Sequence, residues 1–211
     1  MTASRGKFIT FEGIDGSGKS TQAGMLCNWL KEVLRPGGVL RTFEPGDWDG
    51  GPLLRRLLLE GAGMTPRTEL LLFLADRAGH LDAKILPALE KGVWVVCERY
   101  TDSTLAYQSW GRGLALKEIQ GLLDGCRFPK PDMTLLLNIG EEAAAARLGR
   151  RGELDRIESS GPGFMARVAQ GYRELALMCP ERFEVLDASM TAEAVAAAVR
   201  GRVEKLTGGR K

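Results

Sequence analysis

The sequence has few of the residues that build metal centres and disulfide frameworks. Its 211 residues include one histidine, His80, and four cysteines, which are widely spaced and form no Cys-x-x-Cys pair. A structural zinc site needs clustered ligands, so we expect none. Separated cysteines of this kind predict a reducing, cytoplasmic setting. The short apolar stretch near the N-terminus is too short for a signal peptide or a membrane span.

An excess of charge of one sign is also missing. The 29 Lys and Arg residues against 27 Asp and Glu residues leave a net charge of +2. This balance gives no electrostatic basis for coating nucleic acid or a membrane, and we expect neither as a partner. Hydrophobic residues at 44% and charged residues at 27% are typical of a globular protein. The length predicts one domain over 1–211.

Short apolar runs alternate with longer segments of helical periodicity. Strands are predicted at 8–11, 39–43, 93–97, 134–137 and 183–186. Helices are predicted at 19–34, 52–59, 65–79, 81–91 with a kink at Pro87, 101–110, 115–125, 141–149, 163–178 and 191–206. Strands that are apolar on both faces and separated by helices indicate a covered parallel sheet. The sequence therefore predicts an α/β fold, a three-layer α/β/α sandwich around a five-stranded parallel sheet.

A glycine-rich loop stands between the first predicted strand and the first predicted helix. Residues 13–20 read Gly-Ile-Asp-Gly-Ser-Gly-Lys-Ser and match G-x-x-x-x-G-K-[ST] in full. Glycines let the backbone wrap a phosphate, and the helix N-terminus adds partial positive charge. Lys19 would reach the β and γ phosphate oxygens of a nucleoside triphosphate. The predicted residues of this site, which the family resemblance given below assigns to ATP as co-substrate, are Gly13, Ile14, Asp15, Gly16, Ser17, Gly18, Lys19, Ser20 and Thr21.

Two oxygen-bearing side chains are candidates for holding Mg²⁺, the predicted cofactor. Ser20 ends the phosphate-loop motif, and its hydroxyl is the metal-facing group of such loops. Glu98 ends the third predicted strand, at the sheet edge where α/β proteins bind ligands. A strand-end surface carboxylate is the alternative interpretation of Glu98.

The phosphate loop by itself leaves several reaction classes open. A GTPase needs Asn-Lys-x-Asp after a strand to recognise guanine, and this tetrapeptide is absent. Motors and transport ATPases usually need a longer chain. A small kinase fits the length best. Kinases of this architecture differ in the acceptor that they phosphorylate, so the acceptor stays open at this point. A nucleotide-dependent binding module is the alternative to a kinase. The residues of an acceptor pocket discriminate between these hypotheses.

Several further segments, in order along nearly the whole chain, resemble the thymidylate kinase family of P-loop kinases. They are 11–20, 44–46, 73–80, 99–108, 111–113, 131–132, 151–158, 171–172 and 187–189. Each segment alone is weak evidence for the resemblance, but the whole set in this order is specific to the family. The resemblance implies transfer of the γ-phosphoryl group of ATP to dTMP, giving ADP and dTDP for DNA synthesis. It also implies a homodimer, for which the apolar faces around 53–59 and 69–74 are candidates.

The acceptor pocket is predicted around Phe73 and Arg77. These residues stand four apart, on one face of the predicted helix. A ring that stacks and a guanidinium that donates to a carbonyl suit a pyrimidine, and the resemblance implies both roles toward thymine. The alternatives are core packing for Phe73, and an ion pair with Asp76 or Asp82 for Arg77. The dTMP-binding residues that the resemblance implies are Asp15, Phe73, Arg77, Arg99, Ser103, Thr104, Tyr107, Gln108 and Tyr172.

The same resemblance implies more specific roles for some of these residues. Arg99 would bind the acceptor phosphate, for which a planar guanidinium is well suited. Tyr107 would crowd the 2′ position of the sugar and so favour deoxyribose. Tyr172 would lie over the nucleotide, and Asp15 would position the acceptor through a sugar hydroxyl or through magnesium. Purely structural hydrogen bonding stays open for the two tyrosines.

A charged segment near 150–163 resembles the LID of the family. The variable positions of the phosphate loop contain no arginine, which implies that the LID supplies the catalytic one. The predicted catalytic residues are therefore Lys19, Arg99, Arg151 and Arg156. Arg147 and Arg150 flank the same segment. The alternative is a solvated basic loop in which the segment's own acidic residues partly offset the repulsion among its arginines.

The sequence departs from the family pattern at several positions. Phe43 stands where an arginine usually precedes Glu-Pro-Gly, and Asp47 and Trp48 replace the Gly-Thr that usually follows. Glu98 and Asn138 each replace an aspartate. These changes leave open how the loop after Phe43 meets the acceptor and how Glu98 reaches magnesium.

Overall fold

The computed structural model describes residues 5–34, 38–61, 63–149, 155–157, 159–161 and 163–207. Its strands are β1 (Phe8–Glu12), β2 (Val39–Phe43), β3 (Trp94–Glu98), β4 (Met133–Asn138) and β5 (Phe183–Asp187). They form one parallel sheet in the order β2-β3-β1-β4-β5. The predicted α/β fold with a five-stranded parallel sheet is confirmed.

The helices occupy most of the positions that the periodicity predicts. They are α1 (Lys19–Val33), α2 (Gly51–Glu60), α3 (Pro66–His80), α4 (Leu86–Glu90), α5 (Thr101–Thr104), α6 (Leu116–Gly125), α7 (Glu141–Leu148), α8 (Phe164–Met178) and α9 (Ala192–Val203). A short 3₁₀ turn, Glu204–Thr207, follows α9. Among the described residues, no helix combines the length and apolarity that crossing a membrane requires.

Helices cover both faces of the sheet because alternate strand residues point to opposite sides. On one face, Phe8, Val95 and Cys97 pack in a cluster with residues that follow α3, among them Leu81 and Ile85. On the other, Ile9, Phe11 and Val96 pack in the main core with Ala23, Leu26 and Leu30 of α1. Because the strands are parallel, their carboxyl ends lie at one edge of the sheet. The two apolar layers fix the helices against this sheet.

The region after α3 differs from the prediction of separate helices with a kink at Pro87. α3 continues without a break into a π-helical segment, Leu81–Ile85, which leads into α4. Pro87 has no N–H to donate to the carbonyl four residues before it, so an α-helical bond cannot form there. The irregularity therefore lies upstream of the proline.

A second π-helical segment, Leu105–Gly111, follows α5 and interrupts the predicted regular helix over 101–110. Its wider turn includes a hydrogen bond from the backbone N–H of Arg112 to the carbonyl of Tyr107, 2.9 Å. The extra residue in the turn changes the side-chain positions around Tyr107 and Gln108, and π segments often lie at functional sites.

The predicted LID at 150–163 lies only partly within the described residues. Arg150 and Arg151 lie outside them, so the structure does not place these two candidates. Arg156 and Ile157 are described. The LID and the single-domain boundary over 1–211 stay predictions.

Candidate active site

The phosphate loop follows β1 and wraps back onto the sheet edge. Gly13, Gly16 and Gly18 have φ angles of 135°, 79° and 94°, which glycine adopts readily and other residues rarely do. A Cβ on Gly13 would lie 2.6 Å from the carbonyl oxygen of Leu137, and one on Gly16 would lie 2.3 Å from that of Ala144. All three glycines are therefore required for the turn, and Gly13 and Gly16 are also required for close packing.

Lys19 is buried at the base of this loop. Its Nζ donates to the carbonyl oxygens of Gly13 and Ile14, at 2.9 and 2.8 Å. Burial, together with the nearby positive charge of Arg99, lowers the pKa of Lys19 to about 7. Phosphate groups placed at the loop would favour the charged ammonium and raise this pKa again.

Ser20 and Glu98 meet beside the loop, and Arg41 joins them. The Ser20 hydroxyl donates to Glu98 Oε2 at 2.6 Å, and Arg41 Nη2 donates to Oε1 at 2.8 Å. A hydroxyl and a carboxylate are the oxygen ligands that Mg²⁺ prefers, so the two residues fit this ion. Arg41 was missed by sequence reasoning, because nothing local links it to Glu98.

One cleft of about 430 Å³ runs from the phosphate loop into the interior. Most of the predicted acceptor residues line it together with the loop. From the predicted sets, the lining residues are Asp15, Gly16, Gly18, Lys19, Ser20, Phe73, Arg77, Glu98, Arg99, Ser103, Thr104, Tyr107 and Gln108. The structure thus brings the predicted donor and acceptor sites into one cavity, and Tyr172 lies behind it, in contact with Arg99.

Arg77 lies at the inner end of the cleft and is only 2% exposed. Its Nε donates to Glu44 Oε2 at 2.8 Å and its Nη1 donates to the Thr104 hydroxyl at 2.9 Å. The ion-pair partner is thus Glu44, and Asp76 instead accepts from the Gly46 N–H and the Trp48 indole. This arrangement holds the guanidinium rigidly against the cleft.

Gln108 presents an unused acceptor in the same cleft as Arg77. Its Nε2 donates to Glu69 Oε1 at 2.9 Å, which fixes the orientation of the amide. Its Oε1 has no hydrogen-bond partner in the described part of the chain, although the side chain is buried. A buried acceptor without a partner costs free energy, so a ligand N–H would be a favourable partner for it.

Arg99 lies between the phosphate loop and the acceptor pocket. Its backbone has a φ of 65°, an uncommon value for a residue with a side chain that points to a functional constraint. The guanidinium pairs with Asp15, and Nη2 also donates to the Tyr107 hydroxyl oxygen at 3.0 Å. Although burial acts in the opposite direction, Arg99 and Lys19 hold the pKa of Asp15 well below its usual range.

Comparison with known proteins identifies the family to which this site belongs. The sequence model described as thymidylate kinase matches residues 11–199. The chain belongs to the thymidylate kinase family. It is 45% identical to a thymidylate kinase of Alkalilimnicola ehrlichii, covering 92% of this chain and 91% of the relative. It is 46% identical to a thymidylate kinase of Leifsonia xyli, covering 94% of this chain and 95% of that relative.

A solved structure agrees with this family membership. The crystal structure of a thymidylate kinase from Ehrlichia chaffeensis superposes with a TM-score of 0.78 at 32% sequence identity. The match covers 95% of this chain and 99% of that one. The fold is therefore shared over nearly the whole length.

The Phe43 departure from the thymidylate kinase pattern is linked to an arginine on α2. The Arg55 guanidinium lies 5.4 Å from the centre of the Phe43 ring, and its Nη1 donates to the carbonyl of Pro45 at 2.7 Å. Phe43 and Arg55 both line the cleft. The aromatic ring thus packs against a cation supplied by α2. Sequence reasoning missed Arg55, because α2 approaches Phe43 only in the fold.

The second departure, at Asp47 and Trp48, is explained by contacts away from the cleft. Asp47 accepts hydrogen bonds from the Thr42 hydroxyl at 2.6 Å and from Lys84 at 2.7 Å. The Trp48 indole donates to Asp76 at 2.9 Å. These side chains connect the loop after β2 to the helices beside it, and neither lines the cleft.

Arg156, the described arginine of the predicted LID, is held by α2 and α3. Arg156 donates to the carbonyl of Leu58 and to Glu69, which also accepts from Arg112 and Gln108. These hydrogen bonds lower the pKa of Glu69 despite its burial. In this structure Arg156 therefore joins the segment of the predicted LID to α3 and does not line the cleft.

A second cavity of about 340 Å³ opens on the other side of the phosphate loop. Its walls come from the loop, from α1, α7 and α9, and from the segment between β5 and α9. They include Gly16, Ser17, Thr21, Arg147, Ala188, Thr191 and Val195. Sequence reasoning assigned no site here, although the 187–189 motif of the family pattern adjoins it.

Proposed function

We propose that this chain transfers the γ-phosphoryl group of ATP to dTMP, giving ADP and dTDP for dTTP synthesis. The observation that carries the proposal is the single cleft that joins Lys19 of the phosphate loop to the buried pocket of Arg77 and Gln108. Arg99 lies between the two, where the acceptor phosphate has to approach the donor.

The donor would occupy the phosphate loop and the second cavity. Backbone amides of the loop and Lys19 would hold the β and γ phosphates. The cavity lined by Arg147 and Thr191 continues from the loop and has the position and size to receive the nucleoside of ATP. The two substrates would therefore meet end to end at the phosphate loop.

The inner pocket favours the hydrogen-bonding edge of thymine. The unpartnered Gln108 Oε1 would accept from the N3–H of the base, and the Arg77 guanidinium would donate to an adjacent carbonyl. Phe73 lines the same pocket and provides a face for stacking. Cytosine has no hydrogen on N3 and carries an amino group in place of that carbonyl, so both contacts would be lost.

The acceptor phosphate would lie between Arg99 and Arg55, which both line the cleft. Fixed guanidinium groups bind phosphate through charge-assisted hydrogen bonds. Tyr107, fixed by Asp15 and Arg99, would adjoin the sugar. This charge arrangement offsets the repulsion between the two anionic substrates, which is the main requirement of phosphoryl transfer.

Ser20 and Glu98 are the proposed residues for holding Mg²⁺. When bound, the ion neutralises part of the charge on the transferred phosphate. Among the chain's own residues, Lys19 and Arg99 hold the reacting groups in line. Arg151 and Arg156 stay candidates for a catalytic arginine supplied by the LID.

The test is an assay of the purified protein with ATP and each nucleoside monophosphate. We expect the highest kcat/KM for dTMP and much lower values for dCMP, CMP, AMP and GMP. Equal or better turnover of any of those four would contradict the assignment of dTMP. Such a result would favour the second candidate, a kinase of the same architecture for another monophosphate.

We also propose a homodimer in the cytoplasm. Leu53 and Leu57 of α2 and Leu71 of α3 are 65%, 44% and 51% exposed, and paired copies would remove these apolar side chains from water. The four cysteines are free thiols, which suits a reducing compartment. Sedimentation of the wild-type protein and of Leu53→Asp would test the dimer.

A further inference from the structure

Glu12, the last residue of β1, is a buried carboxyl group that lines neither cavity. It is 0% exposed. Its Oε1 accepts from the backbone N–H of Tyr100 at 2.8 Å. Its Oε2 is in contact with the hydroxyls of Ser103 and Tyr172, at 2.6 and 3.0 Å.

All three partners of Glu12 support Arg99. The Tyr100 N–H belongs to the peptide directly after Arg99, whose φ is 65°, so Glu12 holds that backbone in its uncommon conformation. The Ser103 and Tyr172 hydroxyl oxygens accept from Arg99 Nη1 at 3.2 and 3.4 Å. Glu12 therefore fixes both ends of Arg99 without lining either cavity.

The hydroxyl groups around Oε2 contain fewer hydrogens than contacts when Glu12 is ionised. Ser103 Oγ and Tyr172 Oη are also only 2.7 Å from each other. Each hydroxyl has one hydrogen, so if both donate to an ionised Glu12, none lies between them. With a proton on Oε2 the three groups donate around a closed ring, so the same arrangement accommodates both the ionised and the protonated carboxyl group.

The charges around Glu12 leave its protonation state responsive to the site. Burial and the neighbouring Asp102 raise the pKa of Glu12 to about 7, whereas Arg99 opposes the rise. Lys19, Arg77 and Cys97 are the other titratable groups that interact with it. A phosphate dianion bound to Arg99 would offset the positive charge that favours ionised Glu12.

We propose that Glu12 is a positioning residue for Arg99 that takes up one proton, on Oε2, when the phosphate of dTMP binds. The inference rests on the proposed function, because it uses dTMP as the ligand of Arg99. The proton comes from the solvent. Because the protonated form binds the phosphate better, the Glu12-dependent part of dTMP affinity falls as pH rises through neutrality.

The test is calorimetric titration of dTMP in buffers of different ionisation enthalpy, for the wild type and for Glu12→Gln. The amide has the shape of the neutral acid and can donate to the same ring of hydroxyls. The phosphate of dTMP titrates in both proteins, so its contribution cancels in the difference. At pH 7 we expect the wild type to take up about half a proton more than the variant.

The matched control is Glu118→Gln, an exposed carboxyl on α6 that pairs with Arg67. It should take up the same number of protons as the wild type. Equal uptake by the wild type and Glu12→Gln would overturn the proposal, while dTMP binding itself would leave the proposed function standing. A wild type that does not bind dTMP would instead contradict the function.

A second measurement does not need Glu12→Gln and decides the question if that variant does not fold. With ¹³C-labelled glutamate, the infrared difference spectrum on adding dTMP at pH 7 should gain a protonated carboxyl C=O band. Tyr172→Phe removes a donor to the carboxylate, so the pH midpoint of this band without ligand should move upward. Absence of the band in the wild type would overturn the proposal.

Discussion

The Arg41 guanidinium and the Glu98 carboxylate form an ion pair, with Nη2 2.8 Å from Oε1. The same Nη2 donates to the backbone carbonyl of Ser20 at 2.9 Å, and Glu98 Oε2 accepts from the Ser20 hydroxyl at 2.6 Å. Arg41 passes over α1 at Gly24, where a Cβ would lie 3.2 Å from its Nη1. Arg41 thus fixes one carboxylate oxygen of Glu98 and leaves the other directed at Ser20.

Replacing Arg41 should therefore weaken the use of magnesium more than the binding of nucleotide. For Arg41→Leu we expect the Mg²⁺ concentration at half-maximal activity to rise about tenfold, because a charge-assisted hydrogen bond that orients Glu98 is lost. ATP affinity measured without metal should change little. Lys31→Leu, an exposed position on α1, is the control. A metal requirement equal to that of the wild type would contradict this role.

Phe73→Ala should act on the acceptor alone. Loss of a stacking face is worth about 1–3 kcal/mol, or roughly 5- to 150-fold in affinity, so the KM for dTMP should rise within this range. The KM for ATP should stay constant, because Phe73 lines only the cleft that continues into the acceptor pocket. Steady-state kinetics with each substrate varied in turn would measure both. Arg67→Ala, at the exposed start of the same helix, should change neither constant.

Arg55 and its neighbour Arg56 offer a matched pair on α2. Arg55 lines the cleft beside Phe43, whereas Arg56 is exposed and lines neither cavity. Arg55→Ala should weaken dTMP binding about 10- to 100-fold, the cost of a charge-assisted contact to phosphate. Thymidine, which has no phosphate, should bind the wild type and Arg55→Ala equally. If Arg55→Ala lost thymidine and dTMP affinity alike, the residue would not be a phosphate contact.

The affinity for ATP should depend on pH through Lys19. In the free protein burial lowers the pKa of Lys19 to about 7, and bound phosphates would raise it. Binding then favours the protonated amine, so affinity is fully present below the free pKa and declines as pH rises above about 7. Equilibrium binding of a non-hydrolysable ATP analogue across pH 6–9 would measure the decline. Lys19→Arg stays charged throughout this range, so its profile should lack the decline.

The acceptor pocket illustrates both the reach and the limit of sequence reasoning. Phe73 and Arg77 were predicted as a pair because helical spacing is a local property, and both line the cleft. The partner of Arg77 was not predictable in the same way. The local candidates were Asp76 and Asp82, whereas the observed partner is Glu44 of the preceding strand–loop region, which approaches α3 only after folding.

The sequence by itself determined the parallel α/β architecture and the phosphate loop, together with the order of the acceptor motifs. Each depends on periodicity or on residues adjacent in the chain. Tertiary structure decided that Arg55 adjoins Phe43, that Arg41 holds Glu98, that Arg156 lies on Glu69, and that Glu12 supports Arg99. These contacts join separate elements whose relative placement depends on packing of the whole core, and no local pattern encodes them.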